Sequence, residues 1–249
     1  MDDINKPSLK AIILAAGVGS RIKPLTDSCP KSLLTVAGMS ILERMIGNIQ
    51  ACGINEIILV LGYLNQQIEE LVTKKFPDIE ATFIFNEKFE ETNTGYSLML
   101  TEAAVNGTGF VKFDADVVFE IEILRKLIAS PLENCLCIDR DIQLDAEEVK
   151  VLEGENNRVL QASKTVDPSE AVGESIGVEK INSDTARLLF EELGLMMRET
   201  TNYQTYYEAA YERLISNDVP FHTVDITGLN WTEIDTHEDF RTANEMFAP

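Results

Sequence analysis

The feature that most constrains the fold is the alternation of short apolar runs with helical patterns along the first half of the chain. The runs are rich in β-branched residues and have the length of buried strands; they cover residues 10–14, 56–61, 81–85, 109–113 and 135–139. Strands that alternate with helices form βαβ units, which close right-handed into a parallel sheet covered on both faces. The sequence therefore predicts an α/β protein, Rossmann-like, with three α/β/α layers around a mainly parallel sheet.

Two helices are predicted between these runs from their end signals. Ser40 and Glu43 form a capping-box pattern ahead of an apolar stripe, and Gly53 fits the C-terminal cap. A second helix is expected over about residues 65–76, where Pro77 stops it. The spacing thus places one helix after the first strand and one after the second.

The second half of the chain has a different pattern. We expect a hairpin over 149–153 and 158–163, a strand near 176–181, helices over about 184–195 and 203–216, and a strand leading to Asp235 before a final helix capped by Thr236 and Asp239. We interpret residues 1–249 as a single domain. A core of about residues 9–140 is followed by a hairpin and helical C-terminal subdomain, about 141–249, that covers the ligand-binding edge of the sheet.

The charge balance restricts the partners of such a domain. The chain carries 21 basic and 42 acidic residues, a formal net charge of −21, which argues against nucleic acid as a partner. A small anion would need a local cluster of cations or a metal ion. No apolar run approaches the roughly 18 to 20 residues of a membrane span, and the polar N-terminus lacks a signal-peptide pattern, so we expect a cytoplasmic protein without membrane insertion. The 4 cysteines are expected to be structural thiols.

The segment from Leu14 to Lys31 (LAAGVGSRIKPLTDSCPK) is the most specific motif, and it directly follows the first predicted strand. Gly17 and Gly19 allow a sharp backbone bend that brings N–H groups close to phosphate oxygens. Arg21, Lys23 and Lys31 add cations to the same loop. We therefore expect a phosphate-binding loop.

Two other glycine loops do not fit this segment. A dinucleotide-binding fingerprint needs a third glycine where the chain has Ile22, and Pro24 and Pro30 prevent the loop from opening a helix at once. A Walker-type loop needs Gly-Lys-Ser/Thr, but Pro30 precedes Lys31. A plain glycine turn with solvated charges remains the structural alternative, although it leaves the grouping of cations unexplained.

The pattern A-A-G-x-G-x-R, then Thr26, then Pro30-Lys31 resembles the signature loop of the nucleotidyltransferases that make activated sugars and alcohols. The order of elements agrees with that family along nearly the whole chain. The resemblance implies that the loop wraps a nucleoside triphosphate, that Arg21 stabilises the triphosphate and that Lys31 bridges toward the attacking phosphate. Fixed positive charge is also what an in-line displacement between two anions requires.

Carboxylates for a metal ion follow the fourth predicted strand. In the segment FDADVVF, Asp114 and Asp116 have the spacing of residues on one side of a strand, at the end where open sheets bind ligands. Paired carboxylates favour a hard cation such as Mg²⁺, with turn or capping residues as the alternative. The resemblance implies Asp116 as one Mg²⁺ ligand and Asp235, in NWTEIDTHEDF, as the second.

The resemblance also indicates how the two substrates are bound. Lys164 matches a lysine that contacts the acceptor phosphate, although an isolated lysine is usually a solvated group. The segment NTGYS, residues 93–97, corresponds to the part that faces the base, and its N-x-x-Y-S-L form resembles bacterial phosphocholine cytidylyltransferases, which favours CTP. The residues predicted to bind nucleotide are Leu14, Ala15, Ala16, Gly17, Gly19, Ser20, Arg21, Lys31, Asn93, Thr94, Ser97 and Asp114.

The acceptor region, VDPSEAVGESIGVEKI, is similar to cytidylyltransferases that act on phosphocholine or 2-aminoethylphosphonate. Glu174 would pair with an ammonium group, and Tyr203, Tyr206 and Tyr207 would supply aromatic faces, with helix packing as the alternative for the tyrosines. Lys164, Glu174, Tyr203 and Tyr207 are the predicted substrate-binding residues.

We therefore expect Mg²⁺-assisted transfer of CMP from CTP to a small phospho-acceptor, with Arg21, Lys31 and Lys164 as catalytic residues and pyrophosphate as product. Three alternatives remain open: a sugar-1-phosphate nucleotidyltransferase that uses UTP or dTTP, a non-catalytic nucleotide-binding module, and an acidic interaction protein. The sequence is compatible with a homo-oligomer but does not define one.

Overall fold

The computed structural model describes residues 9–248, and it contains all five strands predicted in the first half. The elements up to the fifth of these strands are β1 (Lys10–Ala15), β2 (Thr35–Val36), β3 (Met39–Ser40), α1 (Ile41–Ala51), β4 (Glu56–Leu61), α2 (Asn65–Lys75), β5 (Glu80–Phe85), α3 (Thr94–Met99), α4 (Glu102–Val105), β6 (Phe110–Asp114), β7 (Val117–Phe119), α5 (Ile121–Ala129) and β8 (Cys135–Asp139). Short 3₁₀ turns cover Ser20–Ile22 and Lys31–Leu33. The signature loop thus lies between β1 and β2.

Up to residue 248, the second half adds four strands to the main sheet, a fifth strand that pairs with β7 in a separate two-stranded sheet, and three helices. Its elements are β9 (Lys150–Glu153), β10 (Val159–Ser163), β11 (Gly173–Ile181), α6 (Ser183–Met196), α7 (Glu208–Ser216), β12 (His222–Asp225), β13 (Trp231–Glu233) and α8 (His237–Met246). The predicted hairpin is present, because β9 and β10 pair antiparallel. Thr236 and Asp239 form a complete capping box at α8, as the sequence predicts.

The predicted helix over 203–216 is wrong at its start. The helix begins at Glu208, and Thr200–Asn202 forms a separate 3₁₀ turn. The reason lies in the backbone: the carbonyl of Tyr203 accepts the N–H of Asn93 at 2.7 Å, and the carbonyl of Thr205 accepts the N–H of Gly95 at 3.2 Å. These bonds tie the segment to the start of α3 instead of to a helical turn of its own.

Within residues 9–248 the main sheet has nine strands, in the order β10-β9-β11-β6-β1-β4-β5, with β8 paired to β11 and β12. Strands β6, β1, β4 and β5 run parallel, and β11 is antiparallel to β6 and β8. The fold-class prediction is confirmed, since this is a single α/β domain with a mainly parallel central sheet. The parallel strands direct their carboxyl ends to one edge, where the signature loop follows β1 and Asp114 ends β6.

Apolar cores lie on both faces of the sheet because side chains alternate along its buried strands. In β1, Ala11 and Ile13 pack with α1, α2 and α5, whereas Ile12 and Leu14 pack with α3, α6 and α7. Each of the four cysteines is a free thiol, as expected. Among the described residues, none of the helices combines the length and the apolar character that a bilayer crossing requires.

Candidate active site

A cavity of about 830 Å³ opens at the carboxyl ends of the parallel strands, the edge where open α/β sheets bind ligands. Its lining includes every sequence-predicted site residue except Tyr203. These residues are Leu14, Ala15, Ala16, Gly17, Gly19, Ser20, Arg21, Lys31, Asn93, Thr94, Ser97, Asp114, Asp116, Lys164, Glu174, Tyr207 and Asp235. Segments more than 200 residues apart in sequence therefore meet in one site.

The signature loop is held in a defined shape by its own contacts. Gly19 has φ +64°, and a Cβ there would lie 3.0 Å from the Thr26 side chain and 3.1 Å from Lys31 Cβ. The Thr26 hydroxyl donates to the Gly19 carbonyl at 2.8 Å, and the Tyr63 hydroxyl donates to the Thr26 carbonyl at 3.1 Å. Glycine and threonine at these positions therefore let the loop fold tightly against Lys31.

Two of the three cations of the loop, Arg21 and Lys31, contact the predicted metal ligands. Lys31 Nζ lies 2.8 Å from Asp116 Oδ2 and 2.6 Å from Asp235 Oδ1, and Arg21 lies 2.7 Å from Asp235 Oδ2. Burial alone would lower the pKa of Lys31, but the charges of Asp116 and Asp235 outweigh it and raise that pKa. Burial acts to raise the pKa of Asp235, but the charge and hydrogen bond of Lys31, together with the charge of Arg21 and a hydrogen bond from Glu233, lower that pKa overall.

A third carboxylate, Glu233, belongs to this group and was missed in the sequence analysis. Oxygens of Asp116, Glu233 and Asp235 lie within 4.8 Å of one another, an arrangement that suits a metal ion. Desolvation, followed by the charges of Asp116 and Asp235, raises the pKa of Glu233 to about 9. Glu233 and Asp235 have the same two-residue spacing as Asp114 and Asp116, so the spacing alone does not distinguish a shared metal group from two separate sites.

Asp114 does not share a cation site with Asp116, contrary to what their spacing predicts. Asp114 Oδ2 instead accepts hydrogen bonds from Lys112 Nζ at 2.8 Å and from the Tyr207 hydroxyl at 2.9 Å. The strand ends at Asp114 and the chain turns before β7, so the period of two no longer holds at Asp116. Among the described residues, the group of carboxylates suited to a metal does not include Asp114.

A buried ionic network beneath the cavity was also missed. Lys112 is 0% exposed, and its ammonium contacts Asp114 at 2.8 Å and Glu179 at 2.9 Å. Burial raises the pKa of Glu179 to about 8, although Lys112 opposes this shift. A charged residue inside an apolar strand such as GFVKF requires buried partners of opposite charge. The lysine in this strand was therefore the sequence signal for a buried ionic network.

Gly177 allows β11 to pass close to Asp114. It has φ +73°, and a Cβ at this position would lie 2.4 Å from Asp114 Oδ2. We expect Gly177→Ala to lower the free energy of unfolding by at least about 1 to 2 kcal/mol, the usual cost of a left-handed backbone at a residue with a Cβ. Urea denaturation would measure this change.

The matched control is Gly194→Ala in α6, where nothing lies within 4 Å of the added Cβ. Alanine is favoured over glycine in a helix by up to about 1 kcal/mol, so this variant should be as stable as the parent or more stable. Equal unfolding midpoints for the two variants would contradict the role assigned to Gly177.

The far end of the cavity is acidic, with an aromatic face. Its lining there includes Asp139, Asp141, Asp145, Glu147, Glu148 and Glu174. Tyr206 is 47% exposed, and Lys164 Nζ lies 5.3 Å from its ring centroid and 4.0 Å from Glu147. Burial raises the pKa of Glu174 to about 8, and Glu148 and Asp139 add to the shift. This end of the cavity can therefore accept a cation.

Two of the predicted substrate-binding tyrosines have other contacts. Tyr203 packs against Tyr96 at 4.9 Å between ring centroids and is not part of the described cavity lining. Tyr207 borders the cavity but is 2% exposed, and the buried ammonium of Lys112 lies 3.7 Å from its ring centroid. The helix begins only at Glu208, so the helix predicted over about residues 203–216 does not include these two tyrosines. Tyr206 provides the exposed face.

The segment predicted to face the base forms the start of α3. The Asn93 side chain accepts the Thr94 N–H at 2.8 Å and caps the helix. Ser97 is held by the buried Asn86 amide at 3.2 Å. Asn93, Thr94 and Ser97 all line the same cavity as the signature loop.

The chain belongs to the family of the MobA-like NTP transferase domain, which matches residues 11–141. It is similar to CMP-5'-(3-aminopropyl)phosphonate synthase of Streptomyces rubellomurinus, with 27% identity over 97% of this chain and 39% of that protein. It is 43% identical to choline-phosphate cytidylyltransferase of Haemophilus influenzae over 46% of this chain and 47% of the relative. The matches thus span less than half the length of either relative.

A solved structure extends the likeness to the whole domain. The CTP:phosphocholine cytidylyltransferase from Streptococcus pneumoniae superposes with a TM-score of 0.78 and 25% identity, covering 96% of this chain and 98% of that one. The resemblance inferred from the signature loop is therefore confirmed.

Proposed function

We propose that the protein transfers CMP from CTP to a small phosphate or phosphonate that carries an amine or quaternary ammonium group. The observation that carries the proposal is the cavity itself, which joins the signature loop, a group of three carboxylates and an acidic, aromatic far end. The likeness to a phosphonate cytidylyltransferase and to phosphocholine cytidylyltransferases supports it.

The transfer needs positive charge and alignment from the protein. An oxygen of the acceptor phosphate forms the new bond to the α-phosphorus of CTP, the bond from that phosphorus to the bridging oxygen breaks, and its electron pair leaves with pyrophosphate. Backbone N–H groups around Gly17 and Gly19 would hold the triphosphate. Arg21 and Lys31 would stabilise charge as it builds up on the phosphates, while Lys164 positions the acceptor phosphate.

Mg²⁺ is the cofactor that fits the carboxylate group. Asp116, Asp235 and Glu233 supply oxygen ligands within 4.8 Å of one another, and oxygen is the donor that this hard ion prefers. When bound, Mg²⁺ would neutralise charge on the phosphates during transfer.

The nucleotide preference is proposed from the start of α3. Asn93, Thr94 and Ser97 offer short side chains and backbone groups to a base, and a small set of directional donors and acceptors is enough to select a pyrimidine. The CTP-dependent relatives make cytosine the favoured base.

The acceptor preference is proposed from charge. Carboxylates outnumber Lys164 at the far end of the cavity, and Tyr206 presents an exposed ring there. A hexose would instead need several directional hydrogen bonds to its hydroxyls. A pyrophosphate-release assay with each NTP, Mg²⁺ and a panel of acceptors separates the sugar-nucleotide, non-catalytic and interaction-protein alternatives from this function.

We expect turnover with phosphocholine, phosphoethanolamine or 2-aminoethylphosphonate and none with glucose 1-phosphate. In Tyr206→Leu the KM for the cationic acceptor should rise about 2-fold to 30-fold, because a cation–π contact contributes roughly 0.5 to 2 kcal/mol. Tyr203→Leu is the control, since Tyr203 is outside the described cavity lining. Turnover of glucose 1-phosphate alone would contradict the acceptor class while leaving nucleotidyl transfer intact.

A further inference from the structure

The three-carboxylate group already contains a cation supplied by the protein. Lys31 Nζ lies between Asp116 Oδ2 and Asp235 Oδ1, at 2.8 and 2.6 Å. Arg21 occupies the other oxygen of Asp235 at 2.7 Å. Both predicted metal ligands are therefore neutralised by side chains of the signature loop.

The ion pairs of Lys31 and Arg21 differ in burial and in the number of aspartates that each cation contacts. The Lys31 side chain is 13% exposed and its ammonium bridges both aspartates, whereas the Arg21 side chain is 62% exposed and contacts Asp235 alone. A partly buried ion pair is weakly screened by solvent and salt, so the Lys31 bridge is the stronger of the two. Lys31 is thus the main competitor of any divalent ion for these oxygens.

Lys31 and a divalent ion compete for Asp116 and Asp235 because both are positively charged and both need the same oxygens. A divalent ion that binds Asp116 and Asp235 would sit within a few ångströms of the Lys31 ammonium, and like charges repel strongly at that range in a partly buried site. The ion can bind well only after the ammonium has left. A lysine can leave because its charge stands on a flexible four-carbon stem.

We propose that Lys31 is an internal counter-cation that keeps divalent metal away from Asp116 and Asp235 until the phosphates of a nucleotide draw the ammonium to themselves. The nucleotide step depends on the proposed function, whereas the exclusion of metal depends only on the contacts of Lys31. Nucleotide and metal are then coupled through one side chain, and the coupling is reciprocal.

The first test measures metal binding without nucleotide. Mn²⁺ titrations followed by the electron paramagnetic resonance signal of the free ion would compare the parent protein with Lys31→Met, which keeps the stem and removes the charge. We expect Lys31→Met to bind Mn²⁺ at least about tenfold more tightly than the parent. Lys23→Met is the matched control, because Lys23 carries the same charge in the same loop but pairs with Asp27 at 3.5 Å.

The second test measures coupling. CTP affinity is determined by equilibrium dialysis in EDTA and in saturating Mg²⁺, for the parent and for Lys31→Met. Mg²⁺ should improve CTP binding less in Lys31→Met than in the parent. The improvement should shrink by about the same factor as the gain in metal affinity of the nucleotide-free variant, because metal binding and nucleotide binding belong to one thermodynamic cycle. Thermal unfolding with and without Mn²⁺ shows whether the variant is folded, and metal should raise its midpoint more than that of the parent.

Unchanged or weaker Mn²⁺ binding by folded Lys31→Met would overturn the proposal, and so would an equal gain in Lys23→Met. An unaltered coupling factor would overturn the nucleotide step. Failure of the proposed function would give a different result, because a protein without transferase activity would still show the gain in metal affinity.

Discussion

Asp116→Asn and Asp235→Asn should each lower kcat by at least about a thousandfold. A neutral amide binds Mg²⁺ poorly, and the charge stabilisation of a bound metal is worth several kcal/mol in the transition state. Both residues belong to the group of three carboxylates, so neither can be replaced by a neighbour without loss of a ligand. Pyrophosphate release at saturating CTP and acceptor would measure the effect.

The control for this prediction is Glu238→Gln, which removes a carboxylate three residues from Asp235 that pairs with Arg241 at 3.5 Å. It should turn over like the parent. Circular dichroism and thermal unfolding establish that the aspartate variants are folded. Full turnover of either aspartate variant at ordinary Mg²⁺ concentration would show that the assigned residue is not a metal ligand.

Lys31→Ala and Arg21→Ala should each lower kcat by at least about a hundredfold, the range seen when one preorganised electrostatic contact is lost. The loss should appear in kcat and in kcat/KM, because these charges stabilise the transition state more strongly than the bound substrate. Steady-state kinetics with varied CTP would distinguish these constants.

Lys23→Ala serves as the control in the same loop, since its ammonium pairs with Asp27 rather than with the carboxylate group. A rise in KM with kcat unchanged would make Lys31 and Arg21 simple binding residues. If kcat falls as expected, Lys31→Met combines tighter metal binding with slower transfer, two changes that general destabilisation does not produce together.

The parallel part of the sheet was predictable because its signals are local. Buried strands such as Glu56–Leu61 carry continuous apolar runs, and Ser40 caps α1 as its position indicates. The second contact of that capping box, from the Ser40 N–H to the Glu43 carboxylate, is replaced, because the Glu43 carboxylate instead binds Lys75, 32 residues away. Local patterns find the element, while distant partners decide the details.

The signature loop and the aspartates Asp116 and Asp235 could be assigned to one site from the sequence and its resemblance to a known family. Glu233 and Lys112 were missed because their roles depend on tertiary neighbours: Asp116 for the first, Glu179 for the second. The tyrosines were misjudged for the same reason. The start of α3 takes the carbonyls of residues 203 and 205, so the expected helical face around Tyr207 does not form.

The segment between β8 and β9 has a further consequence. None of residues 141–148 belongs to a strand, yet Asp141, Asp145, Glu147 and Glu148 line the acidic end of the cavity. The signature loop and the carboxylate group, in contrast, are anchored to the sheet and to α8. Under the proposed function, exchange of this loop would change much of the acidic lining while leaving Lys164, Glu174 and the residues of transfer in place, and grafting it between relatives offers a direct route to new CMP-linked products.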